Sequence, residues 1–280
     1  MKTRVFSFIL ALFAVAAFSI TCFAESSLVT KTTTIQNKTR TYYVYQPEAC
    51  KTKSCPLVIM FHGLGGDAAG AAGDAYGWKE TADQNSFVAA FPESLTLPAK
   101  TVKFFMWSYT YDPAGKHWDI PLVTLSSSKR YCATCSQDVE FTQKMIGEIQ
   151  TNFNTLSSHV FATGHSYGAF FSYFVSMCLP EIKAFASHSG GLVSYYGFWF
   201  PGAVKKATTT WKMPGLVLSS PGDTTVDHNW SITLDRELGA KGHPHELVKL
   251  DKALGHAWDK TKNQYQWDFF VKNSPALPAN

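Results

Sequence analysis

The sequence has no strong excess of charge of either sign. Its 280 residues include 25 basic and 21 acidic side chains, which gives a formal net charge of +4 at pH 7. Proteins that bind nucleic acids or anionic surfaces usually carry a clustered basic excess. We therefore expect no nucleic acid as a partner.

Beyond its first 24 residues the chain also lacks an apolar run long enough to cross a bilayer. Residues 1–24 begin with two basic side chains, continue with the apolar run Val5–Ile20 and end with the small residues Cys22 and Ala24. This pattern is typical of a secretory signal peptide cleaved after Ala24. The alternatives are an uncleaved anchor, which needs a longer apolar span, and a lipoprotein signal, for which the residues before Cys22 are poorly suited. We predict a secreted, extracellular protein that does not contact the membrane once the signal is removed.

Cysteine is too sparse for a structural zinc site. Five of the six cysteines follow the signal, with a single C-x-x-C pair, whereas such a site needs four ligands. Because disulfides persist outside the cell, the close pairs Cys50/Cys55 and Cys132/Cys135 predict two local bridges. The second pair is alternatively a redox site, and Cys178 is expected to be an inert core thiol. We predict no metal and no other cofactor.

Repeats, low-complexity tracts and linker-like segments are absent as well. Residues 25–280 are long enough for one large domain, and the hydrophobic content of the whole chain, 45%, is enough to form a core. We predict a single domain over residues 25–280 and a monomeric protein.

The most informative stretch is Gly164–Gly168, which has the sequence Gly-His-Ser-Tyr-Gly. Glycines two residues before and after a serine are typical of the nucleophile elbow, a sharp strand-to-helix turn that exposes the serine hydroxyl. Residues 158–163 favour a buried strand, and residues 169–178 are apolar on nearly every side, as in a helix buried against a sheet. The pattern indicates that Ser166 is a nucleophile; an ordinary serine in a glycine-rich turn is the alternative.

A second glycine-rich stretch, His62–Gly66, directly follows the apolar run Pro56–Phe61. At the end of a buried strand, main-chain N–H groups in such a loop can face a developing anion. The loop lacks the Lys-Ser/Thr ending of a phosphate-binding P-loop and the G-x-G-x-x-G spacing of a dinucleotide site. Together with a serine elbow it predicts an oxyanion hole made by the main-chain N–H groups of Leu64 and Tyr167.

The remaining patterns predict an α/β protein with a mostly parallel central sheet, helices on both faces and an N-terminal antiparallel hairpin at residues 28–46. Strands are predicted at 56–61, 87–91, 158–163, 184–186, 215–220 and 246–250, and helices at 77–84, 136–153, 169–178, 230–238 and 264–271. Residues 92–131 lose this periodicity and are rich in aromatic side chains. They predict a long irregular loop that walls the site, with Trp107 and Trp118 as substrate contacts. Packing of this loop on itself is the alternative.

A serine nucleophile needs a base, and the base needs an acidic partner. When the nucleophile lies on an elbow of this kind, the acid and then the base follow it along the chain. His256 lies in the loop between the last predicted strand and the last predicted helix, so we expect it to be the base. Asp223 directly follows the strand at 215–220 and is the expected acid, with Asp227 and Asp251 as alternatives.

Four motifs in this order resemble those of a secreted esterase family. They are Cys55–Val58 leading into His62 and Gly63, then Gly164–Gly168, Pro221–Val226 and Gly255–Trp258. The family includes polyhydroxybutyrate depolymerases and feruloyl esterases, and the resemblance covers most of residues 25–280. It implies an α/β-hydrolase fold, with Ser166 as nucleophile, Asp223 as acid and His256 as base.

These features predict a serine esterase that acts through an acyl-enzyme on an ester substrate, soluble or polymer-linked. Feruloyl esters are favoured because the aromatic-rich stretch suits a phenolic acyl group. Acetylated xylan and polyhydroxybutyrate stay open as substrates. The linker and substrate-binding domain common in extracellular polyester depolymerases are absent from the sequence, which favours soluble or plant cell-wall esters. A peptidase is a further enzyme option, and a catalytically inactive binding protein is the alternative from a different class.

Overall fold

The computed structural model describes residues 27–104, 107–112, 114–121, 123–124, 136–195 and 198–277. The predicted signal peptide and the Cys132/Cys135 pair lie outside these residues. The strands are β1 (Ser27–Ile35), β2 (Lys38–Gln46), β3 (Cys55–Phe61), β4 (Val88–Pro92), β5 (Leu95–Leu97), β6 (Lys100–Phe104), β7 (Trp107–Asp112), β8 (Gly115–His117), β9 (Val123–Thr124), β10 (Thr155–His165), β11 (Ile182–His188), β12 (Val193–Tyr195), β13 (Phe198–Phe200), β14 (Gly215–Ser219) and β15 (His245–Lys249). The helices are α1 (Ala49–Thr52), α2 (Ala68–Ala71), α3 (Trp78–Asn85), α4 (Gln137–Asn152), α5 (Tyr167–Cys178), α6 (His228–Ala240) and α7 (Asn263–Lys272).

Eight strands form the central sheet, in the order β1-β2-β4-β3-β10-β11-β14-β15. The pairs β1/β2 and β2/β4 are antiparallel, and all other neighbours in this sheet are parallel. Gln36 and Asn37 connect β1 to β2 with φ angles of 48° and 63°. Two such residues give a turn whose twist matches that of a hairpin. The mostly parallel sheet and the N-terminal hairpin are therefore confirmed.

Helices cover both faces of the sheet. Leu57, Ile59 and Phe61 of β3 share a hydrophobic cluster with residues of α4, α5 and α6. Val58 and Met60, the alternate residues of the same strand, share a second cluster with residues of α3 and α7. Successive side chains of a strand point to opposite faces, so β3 is buried on both sides. This explains why its sequence is continuously apolar instead of alternating.

The stretch between residues 92 and 131 differs from its predicted form where it is described. In place of one irregular loop, β5 pairs with β8 and β6 pairs with β7, while β9 joins β12 and β13 in a small sheet. The loop prediction is wrong for these residues. Strands of two to six residues are too short to give a periodic signal, and their partners are fixed by tertiary structure.

A buried ion pair ties the N-terminal hairpin to α4. Arg40 Nη2 lies 2.5 Å from Asp138 Oδ1, and both side chains are fully buried. The other oxygen of Asp138 accepts the N–H of Asp119 at 2.5 Å, and the guanidinium lies 4.1 Å from the ring centre of Phe141. One carboxylate therefore holds the hairpin and the segment around Asp119 together.

The predicted Cys50–Cys55 disulfide is present, with Cα atoms 5.6 Å apart. Cys178, the last residue of α5, is half-buried. Within the described ranges, no helix has both the length and the apolar character needed to span a membrane.

Candidate active site

The predicted site stretches meet at one edge of the central sheet. β3, β10, β11, β14 and β15 are mutually parallel, so their carboxyl ends share that edge. His62–Gly66 follows β3, Ser166 follows β10, Asp223 follows β14, and His256 follows β15. In open α/β sheets this is where ligand sites form.

Ser166 occupies a strained turn between β10 and α5, with φ 56° and ψ −121°. A residue with a side chain rarely adopts a positive φ, and such strain is found at functional sites. A methyl group added to Gly164 would lie 2.2 Å from the carbonyl oxygen of Gly168, and one added to Gly168 would lie 2.1 Å from that of Phe61. Both glycines are therefore required for strand and helix to approach this closely, as the elbow motif predicts.

The side chains of Ser166, His256 and Asp223 form a hydrogen-bonded series. Nδ1 of His256 lies 2.6 Å from Oδ2 of Asp223, and Nε2 lies 2.8 Å from Oγ of Ser166. A carboxylate can only accept, so the imidazole carries its proton on Nδ1 and leaves Nε2 to accept the serine proton. This arrangement can remove a proton from the serine and stabilise the imidazolium that results.

Of the three carboxylates considered as the acid, Asp223 is the one that contacts His256. Its side chain is fully buried, and its other oxygen accepts the N–H groups of Thr225 at 2.8 Å and Val226 at 2.9 Å. Asp227 instead accepts the N–H of Asn229 at the start of α6. Asp251 caps the 3₁₀ turn Lys252–Leu254 in the same way. The two alternatives therefore have capping roles.

The loop after β3 lies against the elbow. A methyl group added to Gly63 would lie 3.3 Å from Cβ of Ser166. The N–H of Gly65 donates to the carbonyl oxygen of Lys116 at 2.8 Å, which fixes the turn. Within the described part of the chain, the N–H of Leu64 has no hydrogen-bond acceptor, and its side chain is 48% exposed. A main-chain donor next to the serine is thus available to an incoming group.

His62 and Trp118 support this loop from inside the protein. His62 donates through Nδ1 to the carbonyl oxygen of Gly63 at 2.8 Å and accepts the N–H of Ser94 at Nε2. Burial lowers the pKa of His62, so its ring is neutral. The indole N–H of Trp118 donates to the carbonyl oxygen of His62 at 2.8 Å.

The two predicted substrate contacts have different outcomes. Trp118 has no exposed surface, and its ring stacks on Phe171 in the core. In this position it cannot touch a substrate, so its role is to support the loop. The backbone of Trp107 belongs to β7, but its side chain lies outside the described part of the structure.

His165, the residue before the nucleophile, lies against His256. Its Nε2 is 2.8 Å from the main-chain oxygen of His256, and its Nδ1 is 3.3 Å from the hydroxyl of Tyr76. Burial, helped by the neighbouring charge of His256, lowers the pKa of His165 to about 4. His188, at the end of β11, is 5.6 Å from His165 between ring centres, and burial lowers its pKa well below 6.5. The sequence signal for this group of histidines, His165, His188 and His256, was the place of His165 inside the elbow.

By sequence, the chain matches no protein-family model and no curated protein. Its fold matches that of several solved esterases. A thermostable esterase matches with a TM-score of 0.61 and 17% identity over 89% of this chain, which spans 63% of that protein's length. A ferulic acid esterase matches with a TM-score of 0.60 and 13% identity, covering 89% of this chain and 98% of the other. An acetyl xylan esterase from Aspergillus awamori matches with a TM-score of 0.60 and 14% identity, covering 86% and 99%.

The sheet order, the helices on both faces and these matches define the α/β-hydrolase fold. At identities of 13 to 17% the matches show the fold alone. A shared fold hosts many reactions, so the function has to be argued from the site itself.

Proposed function

We propose that this protein is a serine esterase that hydrolyses carboxylic esters through an acyl-enzyme. The observation that carries the proposal is the hydrogen-bonded series from Ser166 Oγ through both ring nitrogens of His256 to Asp223, with distances of 2.8 and 2.6 Å. A serine hydroxyl is a weak nucleophile until a base takes its proton. The strained elbow and the buried carboxylate both support this role.

The reaction proceeds in two halves. Ser166 Oγ attacks the ester carbonyl carbon while its proton passes to Nε2 of His256. The tetrahedral intermediate collapses, the C–O bond to the alcohol breaks, and the alcohol leaves with the proton from His256. Water then gives a proton to His256 and attacks the acyl-serine, which releases the carboxylic acid and restores the serine hydroxyl. Asp223 keeps the imidazole in one tautomer throughout and stabilises its charged form.

The oxyanion is stabilised by the main-chain N–H groups of Leu64 and Tyr167. Tyr167 directly follows the nucleophile and is the first residue of α5, and the N-terminal end of a helix favours negative charge. The close approach of Gly63 to Ser166 supports Leu64, the next residue in the loop, as the second donor. Where such a donor is a side chain that can be mutated, it contributes about 10²- to 10³-fold to turnover.

Feruloyl or related plant cell-wall esters are the proposed substrates, with acetylated xylan as the second candidate. The first is supported by the fold match to a ferulic acid esterase and the second by the match to an acetyl xylan esterase. Aromatic rings of His117 and Phe200 lie 5.4 and 6.1 Å from the ring of Tyr167, which gives the residue after the nucleophile an aromatic setting. Polyhydroxybutyrate remains a prediction from the sequence motifs.

Purified protein and its Ser166→Ala variant, assayed on p-nitrophenyl acetate, test the reaction. We expect turnover by the wild type, a loss of at least about 10³-fold in the variant, and labelling of Ser166 by a fluorophosphonate. Ser158→Ala, an exposed serine on β10, is the control and should keep full activity. Turnover that survives in Ser166→Ala would overturn the proposal, and an inactive, unlabelled wild type would favour a binding protein. Methyl ferulate, acetylxylan, polyhydroxybutyrate and a peptide amide then rank the substrate classes.

We also propose that the protein is exported. The signal-like pattern of residues 1–24 and the Cys50–Cys55 disulfide support this, because disulfides are rare in reducing compartments. Amino-terminal sequencing of protein from the culture medium should begin at Glu25. Recovery of the full-length chain from the cytoplasm would contradict this.

A further inference from the structure

The loop that carries His256 is fastened to the rest of the protein at several points. The indole N–H of Trp258 donates to the carbonyl oxygen of Tyr76 at 3.1 Å. The N–H of Asp259 donates to Nε2 of His188 at 3.1 Å, and the ring of His188 stacks on Trp258 with centres 4.5 Å apart. These contacts fix the loop after His256.

The bond to His256 itself comes from His165. Nε2 of His165 lies 2.8 Å from the main-chain oxygen of His256, and the two rings are 5.0 Å apart between centres. A carbonyl oxygen can only accept, so Nε2 of His165 carries the proton. The other nitrogen faces the hydroxyl of Tyr76, which can donate to it.

His165 and Ser166 are consecutive in the chain, which gives this bond its significance. The nucleophile and the side chain that holds the base share one peptide unit at the end of β10. The hydrogen bond from His165 to the main chain of His256 therefore links the serine directly to the residue that carries the imidazole. Without it, only the flanking contacts of the loop and the bond to Asp223 would keep His256 in place.

We propose that His165 is a positioning residue for the base, holding the main chain of His256 so that its imidazole stays within hydrogen-bonding distance of Ser166. This inference rests on the proposed serine esterase function. A displacement of about 1 Å in a reacting group can cost about 10²-fold in rate. The expected effect is therefore on turnover and not on substrate binding, because His165 faces the loop of the base.

The environment of His165 suits a neutral donor. Burial lowers its pKa to about 4, so it stays uncharged at neutral pH while still donating through Nε2. A permanent cation at this position would repel the imidazolium that His256 forms during the reaction. Tyr76, His188 and His256 lie around its ring, and the carboxylate of Asp223 raises the pKa of His165 without offsetting the effect of burial.

Three variants test this role, compared by kcat and KM on p-nitrophenyl acetate. His165→Leu removes the donor, whereas His165→Gln places an amide N–H near the position of Nε2. His159→Leu is the matched control, because His159 lies on the same strand and its Nε2 makes a similar bond, 2.9 Å from the carbonyl oxygen of Pro275, away from the site. We expect kcat to fall about 10- to 100-fold in His165→Leu with KM within about threefold, and to recover to within about fivefold of the wild type in His165→Gln. His159→Leu should keep the wild-type kcat.

The outcomes separate this inference from the function on which it rests. If Ser166→Ala is inactive but folded His165→Leu retains full kcat, His165 has no positioning role while the esterase function stands. An equal loss in His165→Leu and His165→Gln would also overturn the inference, because the restored donor would then have no effect. An active Ser166→Ala variant would instead remove the function itself. Second-order rates of fluorophosphonate labelling provide the same comparison without a chosen substrate.

Discussion

Nε2 of His256 lies 2.8 Å from Oγ of Ser166, although 90 positions separate the two residues in the chain. The sheet accounts for most of this approach, since β10 and β15 are parallel and end at the same edge with β11 and β14 between them. Both residues nevertheless lie beyond their strands, in loops. The hydrogen bonds of those loops therefore determine the final distance, and the site depends on them as well as on the sheet.

Two of the three candidate acids, Asp223 and Asp227, should respond differently to the same substitution. Asp223→Asn removes the charge that stabilises the imidazolium and favours the wrong tautomer, so kcat on p-nitrophenyl acetate should fall about 10³- to 10⁴-fold. Asp227→Asn is the matched control, because Asp227 caps α6 and asparagine caps as well as aspartate. Its activity should stay within about twofold of the wild type. Similar activities of the two variants would contradict the assignment of the acid.

Two glycines allow a test of the close packing behind the elbow. Gly168→Ala would place its methyl 2.1 Å from the carbonyl oxygen of Phe61, so we expect a loss of about 1–3 kcal/mol in the free energy of unfolding together with lower activity. Gly147→Ala, in α4, would meet nothing within 4 Å and should instead gain about 0.5–1 kcal/mol. Urea denaturation of both variants measures this. An unchanged Gly168→Ala protein would show that the elbow has more space than the structure gives it.

The free energy of unfolding should decrease as the pH falls from about 6.5 towards 4. Burial lowers the pKa of His165 to about 4 and that of His188 well below 6.5, whereas both are near 6.5 in an unfolded chain. Below pH 6.5 the unfolded state therefore binds protons that the folded state does not, and stability is lost. His165 alone accounts for about 3 kcal/mol of this loss by pH 4.

Urea denaturation at several pH values between 7 and 4 measures the effect, and His165→Gln is the comparison. Glutamine does not titrate, so the difference in stability between the wild type and this variant should change by up to about 1.4 kcal/mol per pH unit within this range. The carboxylates contribute equally to both proteins and cancel. A constant difference across the range would mean that His165 has an ordinary pKa.

Removal of one charge of the Arg40–Asp138 pair should lower the free energy of unfolding more than removal of both charges. Arg40→Met leaves a buried carboxylate without its counterion and should cost about 3–5 kcal/mol in the free energy of unfolding. Asp138→Asn added to Arg40→Met removes that unpaired charge while keeping an acceptor for the Asp119 N–H, and should recover part of the loss. Additive effects in this double-mutant cycle would argue against coupling between the two side chains.

Much of the central sheet could be predicted from local sequence, because its inner strands are buried on both faces. The run Pro56–Phe61 and the strand before Ser166 are apolar enough to be recognised without their neighbours. Ser166, Asp223 and His256 could be selected because each follows a predicted strand, and in this architecture chain order fixes their roles.

The parts of the fold and site that local sequence does not predict depend on contacts between distant residues. The ladders formed by β5–β9 have too few residues for a pattern, and β9 pairs with β13, 74 residues further along when Thr124 is matched with Phe198. Trp118 was predicted to contact the substrate, but it is fully buried and its indole donates to the carbonyl oxygen of His62 beneath the loop. The bond from His165 to His256 joins the end of β10 to a loop 91 residues further along the chain, and no local signal predicts it.

The short strands outside the central sheet contribute side chains next to the nucleophile. His117 at the end of β8 and Phe200 at the end of β13 both contact Tyr167, the residue after Ser166. Neither strand takes part in the ladder that aligns the reacting groups. Exchange of these short strands, by evolution or by grafting, would therefore reshape the surroundings of Tyr167 while leaving the hydrogen-bonded series of Ser166, His256 and Asp223 in place.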